Sequence, residues 1–153
     1  SRILKLKAEI ESGDLGEIQY AQLTAREWVP SIAAMAWRES GSHILDTAGF
    51  IFGEVERTSL RVWKDTESQF ASCHLRSLRN GAGLDIHVNC ANADWRKYDY
   101  RILVQGSKRT VIYQIEESEP MHLLEMISFL GDQKGLATFE DGINNMVLLY
   151  ENS

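Results

Sequence analysis

The stretch QFASCHLRSLRNGAGLDIHVNC, Gln69–Cys90, alternates apolar and polar residues on both sides of Asn80-Gly81. Because Asn-Gly accepts the positive φ angles of a type I′ turn, the stretch predicts a β-hairpin. Alternation then sorts its side chains onto two faces. The apolar face would carry Ala71, Cys73, Leu75, Ile86, Val88 and Cys90. The polar face would carry Ser72, His74, Arg76, Asp85, His87 and Asn89.

The polar face gathers groups that can do chemistry. A turn centred on Asn80-Gly81 places His74 opposite His87, and Arg76 opposite Asp85. Two histidines beside an arginine could transfer protons and stabilise the charge that develops in phosphodiester cleavage. With Asp85, the histidines could instead hold a divalent metal for hydrolysis. Strand alternation gathers polar side chains without any chemistry, so we favour an ordinary exposed face with an Arg–Asp pair.

The first half of the chain predicts a strand and then a helix. Leu4, Leu6, Ala8 and Ile10 alternate with charged residues, which is typical of a strand with one solvated face. Thr24 and Glu27 have the spacing of a capping box, and apolar residues follow at helical spacing. We therefore expect a helix that is kinked at Pro30, or begins there, and that ends at Gly41.

The rest of the chain predicts strands, a second helix and a final strand. These elements are a tight pair of strands at 50–56 and 60–64, the hairpin above, a second hairpin at 98–115, a helix at 118–131 and a strand at 146–150. The order predicts an α+β domain, with a mainly antiparallel sheet of about seven or eight strands and two principal helices packed against it. We expect residues 1–153 to form a single domain.

Composition narrows the function classes. The chain of 153 residues has 22 acidic and 16 basic residues, a formal net charge of −6, which disfavours nucleic-acid binding and suits a basic partner. Two cysteines are too few for a disulfide framework. No apolar run approaches the roughly 20 residues of a membrane span. We expect a cytoplasmic protein that has no contact with membranes.

Common catalytic and cofactor motifs are missing from the sequence. Gly81-Ala-Gly83 lacks the third glycine and the following helix of a dinucleotide site. The sequence has no phosphate-binding loop, nucleophile elbow, zinc helix or Cys-x-x-Cys pair. Cys73 and Cys90 fall on the apolar face, so we expect them to pack in the core. These observations predict neither a cofactor nor a metal.

Acidic residues in the last third of the chain suggest a binding surface. Three carboxylates precede the second predicted helix: Glu116, Glu117 and Glu119. Negative charges at this end of a helix interact favourably with its dipole. They could also form a patch with Asp132, Glu140 and Asp141, beside Trp95 as an aromatic anchor.

Three hypotheses about function follow. The first is a non-enzymatic, acidic immunity or inhibitor protein that blocks a basic partner such as a nuclease toxin. The second is a phosphodiesterase or hydrolase that uses His74 and His87. The third is a structural subunit that forms homo-oligomers through an uncovered sheet face. The sequence leaves the oligomeric state open.

Overall fold

The computed structural model describes residues 2–28, 36–64, 68–91 and 99–116. Side-chain environments are described for most of these residues, and not for those next to the gaps. The elements in chain order are α1 (Arg2–Glu11), β1 (Ile18–Trp28), α2 (Ala36–Phe52), β2 (Val55–Lys64), β3 (Ser68–Ser77), β4 (Gly83–Ala91), β5 (Asp99–Gly106) and β6 (Thr110–Glu116). In the described ranges, no helix is long and apolar enough to cross a bilayer.

The strands form one mixed sheet in the order β2-β3-β4-β1-β5-β6. β1 pairs in parallel with β4 and antiparallel with β5, and the remaining pairs are antiparallel. The α+β class is therefore confirmed. The sheet is mainly antiparallel, as predicted, but it is mixed, because β1 lies in parallel beside β4. The predicted number of seven or eight strands is wrong: the described part of the chain has six. The predicted helix at 118–131 and strand at 146–150 lie outside the described residues.

The N-terminal segment is a helix, α1, and not the predicted strand. Ile3 and Leu6 are buried at helical spacing, whereas Leu4 is 49% exposed. Gly13, with φ of 77°, supplies the left-handed residue that commonly ends a helix. The Nζ of Lys7 donates to the Phe50 carbonyl over 2.7 Å and lies 3.9 Å from the centre of the Phe50 ring. These contacts join α1 to α2.

The predicted helix that ends at Gly41 is also wrong, because its first residues belong to β1. Ala21, Leu23 and Ala25 are fully buried and alternate with more exposed neighbours, which is strand periodicity. The helix begins later, at Ala36, and runs through Gly41 to Phe52. The helix therefore includes residues 50–52, which were predicted to begin a strand. The expected pair of strands at 50–56 and 60–64 is instead the single strand β2, with a register shift between Arg57 and Ser59.

Both predicted hairpins are present, and the first has a different register. Ser77 N donates to Ala82 O over 2.9 Å, and Gly81 N donates to Ser77 O over 2.8 Å. The loop therefore has four residues, 78–81, where two were expected. The pairing moves by two residues, so every side chain keeps its predicted face and changes its partner. Gly81, with φ of 75°, takes the conformation that favours glycine.

The two sides of the sheet differ. The side under α1 and α2 holds the core, which includes Leu23, Leu45, Leu84, Ile86 and Val104. We call the other side the open face, because no helix of the described part covers it. The register places 24 residues there. They are Tyr20, Gln22, Thr24, Arg26, Glu56, Ser59, Arg61, Trp63, Phe70, Ser72, His74, Arg76, Gly83, Asp85, His87, Asn89, Asp99, Arg101, Leu103, Gln105, Thr110, Ile112, Gln114 and Glu116.

The two ends of the sheet also differ. Short turns close one end, which we call the turn edge; there β3 is joined to β4, and β5 to β6. At the opposite end, which we call the loop edge, β1 and β4 both end, at Trp28 and Ala91. The strands β2 and β6 also end at the loop edge, and β3 and β5 begin there. The prediction that residues 1–153 form one domain stays a prediction.

Candidate functional site

A hydrogen-bonded network of three side chains lies on the open face. Because the hairpin loop is longer than expected, His74 faces Asp85 and does not face His87. His74 Nδ1 lies 2.5 Å from Asp85 Oδ1, and the Tyr20 hydroxyl donates to Asp85 Oδ2 over 2.9 Å. Tyr20 reaches Asp85 over Gly83, the residue beside it on β4, which has no side chain to block the path. The Asp85 carboxylate therefore joins three strands, β1, β4 and β3.

Two pKa values reflect this network. Partial burial alone would raise the pKa of Asp85. Hydrogen bonds from His74 and Tyr20, with the positive charge of His74 and His87, outweigh burial and hold it below its usual range. Burial raises the pKa of Tyr20 to about 12, and the hydrogen bond and charge of Asp85 add to this effect. Asp85 is therefore held ionised and Tyr20 protonated.

The other predicted members of the site have different partners. Arg76 lies opposite Gly83 on one side and Glu56 on the other, and its Nε donates to Glu56 Oε1 over 2.6 Å. The expected pair of Arg76 with Asp85 therefore does not form. His87 stacks on Phe70, with ring centres 6.1 Å apart and planes at 17°. Phe70 in turn lies 5.4 Å from Trp63. The four predicted residues share one face, but they do not converge on one point.

Metal binding finds no support in the described ranges. No group of three His, Cys, Asp or Glu side chains there could hold an ion. Cys73 and Cys90 are fully buried, as expected for core residues, and they form no disulfide. Burial raises the pKa of the Cys73 thiol to about 12 against the opposing charge of Arg57, so this thiol stays protonated.

The predicted acidic patch is mostly beyond the structural description. Glu116 is the last residue of β6. The remaining predicted positions, Glu117, Glu119, Asp132, Glu140, Asp141 and Trp95, lie outside the described residues.

The sequence did not indicate a second place of interest, on the helical side of the sheet. Ile44 and Thr47 of α2 line a shallow, mainly apolar recess together with Ile3 and with Tyr100 near the start of β5. His43 is exposed, and it lies one helical turn before Thr47 on the same side of α2. Thr47 Oγ1 donates to the His43 carbonyl over 2.9 Å, which joins the two residues. His43 is therefore exposed on α2 one helical turn from a residue that lines the recess, and the lining itself does not include His43.

Comparison with known families gives a match over most of the chain. Residues 3–112 match the GFO/IDH/MocA C-terminal domain. A search of curated proteins gives no match.

Solved structures with a similar fold include several dehydrogenases. The WlbA dehydrogenase of Bordetella pertussis, solved with NADH and UDP-GlcNAcA, has a TM-score of 0.64 and 20% identity over 97% of this chain. A myo-inositol dehydrogenase of Corynebacterium glutamicum has a TM-score of 0.59 and 18% identity over 95%. A probable dehydrogenase of Thermotoga maritima has a TM-score of 0.52 and 26% identity over 76%. The chain spans 56% of the first two proteins and 39% of the third.

These findings correct the functional hypotheses. The acidic immunity or toxin-inhibitor protein is wrong, and so is its basic toxin partner, because the family match and the similar structures belong to dehydrogenases. The same match also contradicts the other two hypotheses, a hydrolase that uses His74 and His87 and a purely structural subunit. Net charge and missing motifs misled the prediction, because the chain spans only 39–56% of these dehydrogenases and motifs in the rest of their length would not appear in it. The chain belongs to the GFO/IDH/MocA C-terminal domain family.

Proposed function

We propose that this chain is the substrate-side domain of an NAD(H)-dependent dehydrogenase that acts on a sugar or a polyol. The observation that carries the proposal is the family match over residues 3–112. Similar structures support the substrate class, since they include a myo-inositol dehydrogenase, a levoglucosan dehydrogenase solved with NADH and levoglucosan, and the WlbA dehydrogenase solved with NADH and UDP-GlcNAcA. We also propose a cytoplasmic location, which is consistent with two buried cysteines that form no disulfide.

The described residues do not fit the dinucleotide itself. A dinucleotide needs a glycine-rich turn between a strand and a helix, with backbone amides directed at the pyrophosphate. Gly81 and Gly83 belong to a hairpin, and a strand follows them. We therefore assign no step of nicotinamide chemistry to this part of the chain. In the proposal, the nucleotide is held elsewhere and this domain supplies the substrate contacts.

The loop edge on the helical side is the proposed location of the substrate. In open sheets with parallel strands, ligands bind outside the carboxyl ends of those strands. β1 and β4 are the parallel pair, and both end at the loop edge. The recess lined by Ile44, Thr47 and Tyr100 lies toward this edge, because Tyr100 is the second residue of β5, which begins at the loop edge.

His43 is the proposed acid–base residue. Oxidation of a hydroxyl group requires a base that takes the hydroxyl proton, and histidine serves most often. Of the histidines, His74 and His87 lie on the open face and His122 lies outside the described residues. His43 is exposed on α2, one helical turn before Thr47, which lines the recess.

Ligand binding tests the location of the substrate. The chain is titrated with myo-inositol, levoglucosan and UDP-GlcNAcA while its amide NMR signals are followed. The proposal expects at least one ligand to shift the signals of Ile44, Thr47 and Tyr100 while Ile112 and Trp63 stay in place. If none of the three compounds shifts any signal near the recess, the proposed location is wrong.

Activity tests the role of His43. The nucleotide-binding part of the Corynebacterium protein is joined to this chain, and reduction of the nicotinamide is measured with the same compounds. His43→Gln should lower kcat by a factor of about 100 or more, the usual contribution of a general base. The matched control is His74→Gln, the same change on the open face, which should leave the rate within about twofold. An equal loss in both variants would contradict the assignment.

A further inference from the structure

The recess between α1, α2 and the sheet has an apolar floor. It is lined by Leu23 of β1, Ile44 of α2 and Ile102 of β5, which are each at most 3% exposed. Ile3 of α1, which is 8% exposed, completes this apolar part of the lining. A chemical group that enters the recess therefore meets hydrocarbon side chains from two helices and two strands.

Hydrogen-bonding groups are scarce in the recess. Thr47 is half-buried, and its hydroxyl already donates to the His43 carbonyl over 2.9 Å. Thr24 and Arg101 pair across β1 and β5 with their side chains on the open face, so it is their backbone that borders the recess. Tyr100 contributes an aromatic ring to the lining. The recess therefore offers an entering group apolar contact and few polar partners.

The size of the recess limits what can enter it. There is room for about one group of the size of a water molecule or a methyl, so a sugar ring cannot be accommodated. A bound water needs about two to four polar partners, and this lining does not supply them. Apolar cavities of this kind bind apolar guests instead. Size and chemistry together favour a methyl group.

The recess is near the proposed acid–base residue. Thr47 follows His43 by four residues, which is a distance of about 6 Å along the axis of α2. This spacing is shorter than a sugar with its substituents. A hydroxyl at His43 and a methyl group in the recess can therefore belong to the same sugar.

We propose that the recess is a specificity pocket for one methyl group of the substrate, carried by an acetamido sugar or a 6-deoxy sugar. This inference rests on the proposed function, dehydrogenation of a sugar or a polyol, and narrows its substrate class. The ring stays outside the recess, with its reacting hydroxyl at His43. A single apolar carbon in a hydrophobic pocket discriminates between ligands by a factor of about 10–200. A polyol without a methyl group leaves the recess empty and loses these contacts.

Ligand pairs that differ only by the methyl group test the pocket. N-acetylglucosamine is compared with N-formylglucosamine, and L-fucose with D-arabinose, in calorimetric titrations of the 153-residue chain. In one pair, the compound with the methyl group should bind at least about tenfold more tightly. The same compound should shift the NMR signals of the methyl groups of Ile44 and Ile102. A preference in the first pair identifies an acetamido sugar, and one in the second pair identifies a 6-deoxy sugar.

A variant that fills the recess tests where the methyl group binds. Thr47→Leu introduces a longer apolar side chain, which should occupy the pocket and make the two compounds of the preferred pair bind with nearly equal affinity. The matched control is Thr110→Leu, the same change at an exposed residue that begins β6, which should keep the full preference. The comparison of ligands in the unchanged chain does not depend on whether Thr47→Leu folds.

The outcomes separate this inference from the proposed function. Equal affinity within both pairs, with NMR shifts near the recess, would overturn the methyl pocket and leave the dehydrogenase function standing. A preference that persists in Thr47→Leu would place the methyl group elsewhere and would equally refute the pocket. Binding of myo-inositol or levoglucosan, with no binding of the four compounds above, would also show that the pocket does not select a methyl group. If no sugar or polyol binds, the proposed substrate class is wrong, and the pocket with it.

Discussion

Gly106, at the end of β5, offers the sharpest test of the packing at the turn edge. A Cβ at this position would lie 2.8 Å from the Leu15 carbonyl carbon and closer still to its oxygen. Leu15 is fully buried, and its carbonyl accepts a hydrogen bond from Lys108 N over 3.0 Å. Because both crowded groups are backbone, no side-chain rotation relieves the contact. Gly106→Ala must therefore displace either the end of β5 or the segment that leads into β1.

The cost of this displacement can be worked from the contacts. Overpacking of a tight site costs about 1–3 kcal/mol. The shift also strains two backbone hydrogen bonds, Lys108 N to Leu15 O and Ser107 N to Glu17 O, each worth about 1 kcal/mol. Gly106→Ala should therefore lower the free energy of unfolding by about 3–5 kcal/mol. For a domain of this size, Tm falls by about 2–4 °C per kcal/mol, so a loss of about 6–20 °C is expected.

Thermal and urea unfolding measure the effect, followed by circular dichroism. The control is Gly49→Ala, in the last turn of α2, where an added Cβ meets no atom within 4 Å. Helix propensity predicts that this control gains about 0.5–1 kcal/mol. If Gly106→Ala unfolds within about 1 kcal/mol of the unchanged chain, the close approach of Leu15 to β5 does not limit stability, and the reasoning fails.

Two further changes probe the sheet. Asp85→Asn should destabilise the fold by about 1 kcal/mol at neutral pH, because it removes charged hydrogen bonds at a partly exposed site. Since the folded-state pKa of Asp85 is lowered, its contribution is present above the unfolded pKa of about 3.9 and is lost as pH falls through the folded value. Urea midpoints of the two proteins should therefore converge below about pH 4, and a constant gap would contradict this. Cys73 and Cys90 should react with a thiol reagent only after denaturation, and rapid labelling of the native chain would show that they are accessible.

The first hairpin shows what alternation predicts and what it leaves open. The alternation of apolar and polar residues along the two strands is enough to predict that Cys73, Ile86 and Val88 are buried. The partners across the hairpin depend on loop length, and an Asn80 side chain that caps Ala82 N allows a four-residue loop. A shift of two residues leaves the faces intact, so the sequence could not reveal that His74 meets Asp85.

The N-terminal half shows where two periods compete. Ile3, Leu6 and Ile10 fit a helix, yet Leu4, Leu6, Ala8 and Ile10 also fit a strand. The capping-box spacing at Thr24 led us to predict the helix too early in the sequence. His43 therefore lay after the predicted end of the helix, Gly41. A helix placed at 36–52 would have shown His43 off the apolar stripe, which is the signal that could have found it.

The place of β1 in the sheet has a consequence for folding. Although β1 is the first strand in the sequence, it lies in the interior of the sheet, where Tyr20 pairs with both Gly83 and Gln105. A chain emerging from the ribosome therefore presents β1 long before either neighbour exists, while β2, β3 and β4 can pair with one another at once. Non-local pairing of this kind slows folding, because the entropy of loop closure is lost before the stabilising contacts between the strands form. We expect the β2–β4 meander to form first and the docking of β1 to be the late, rate-limiting step, during which its apolar residues are open to aggregation.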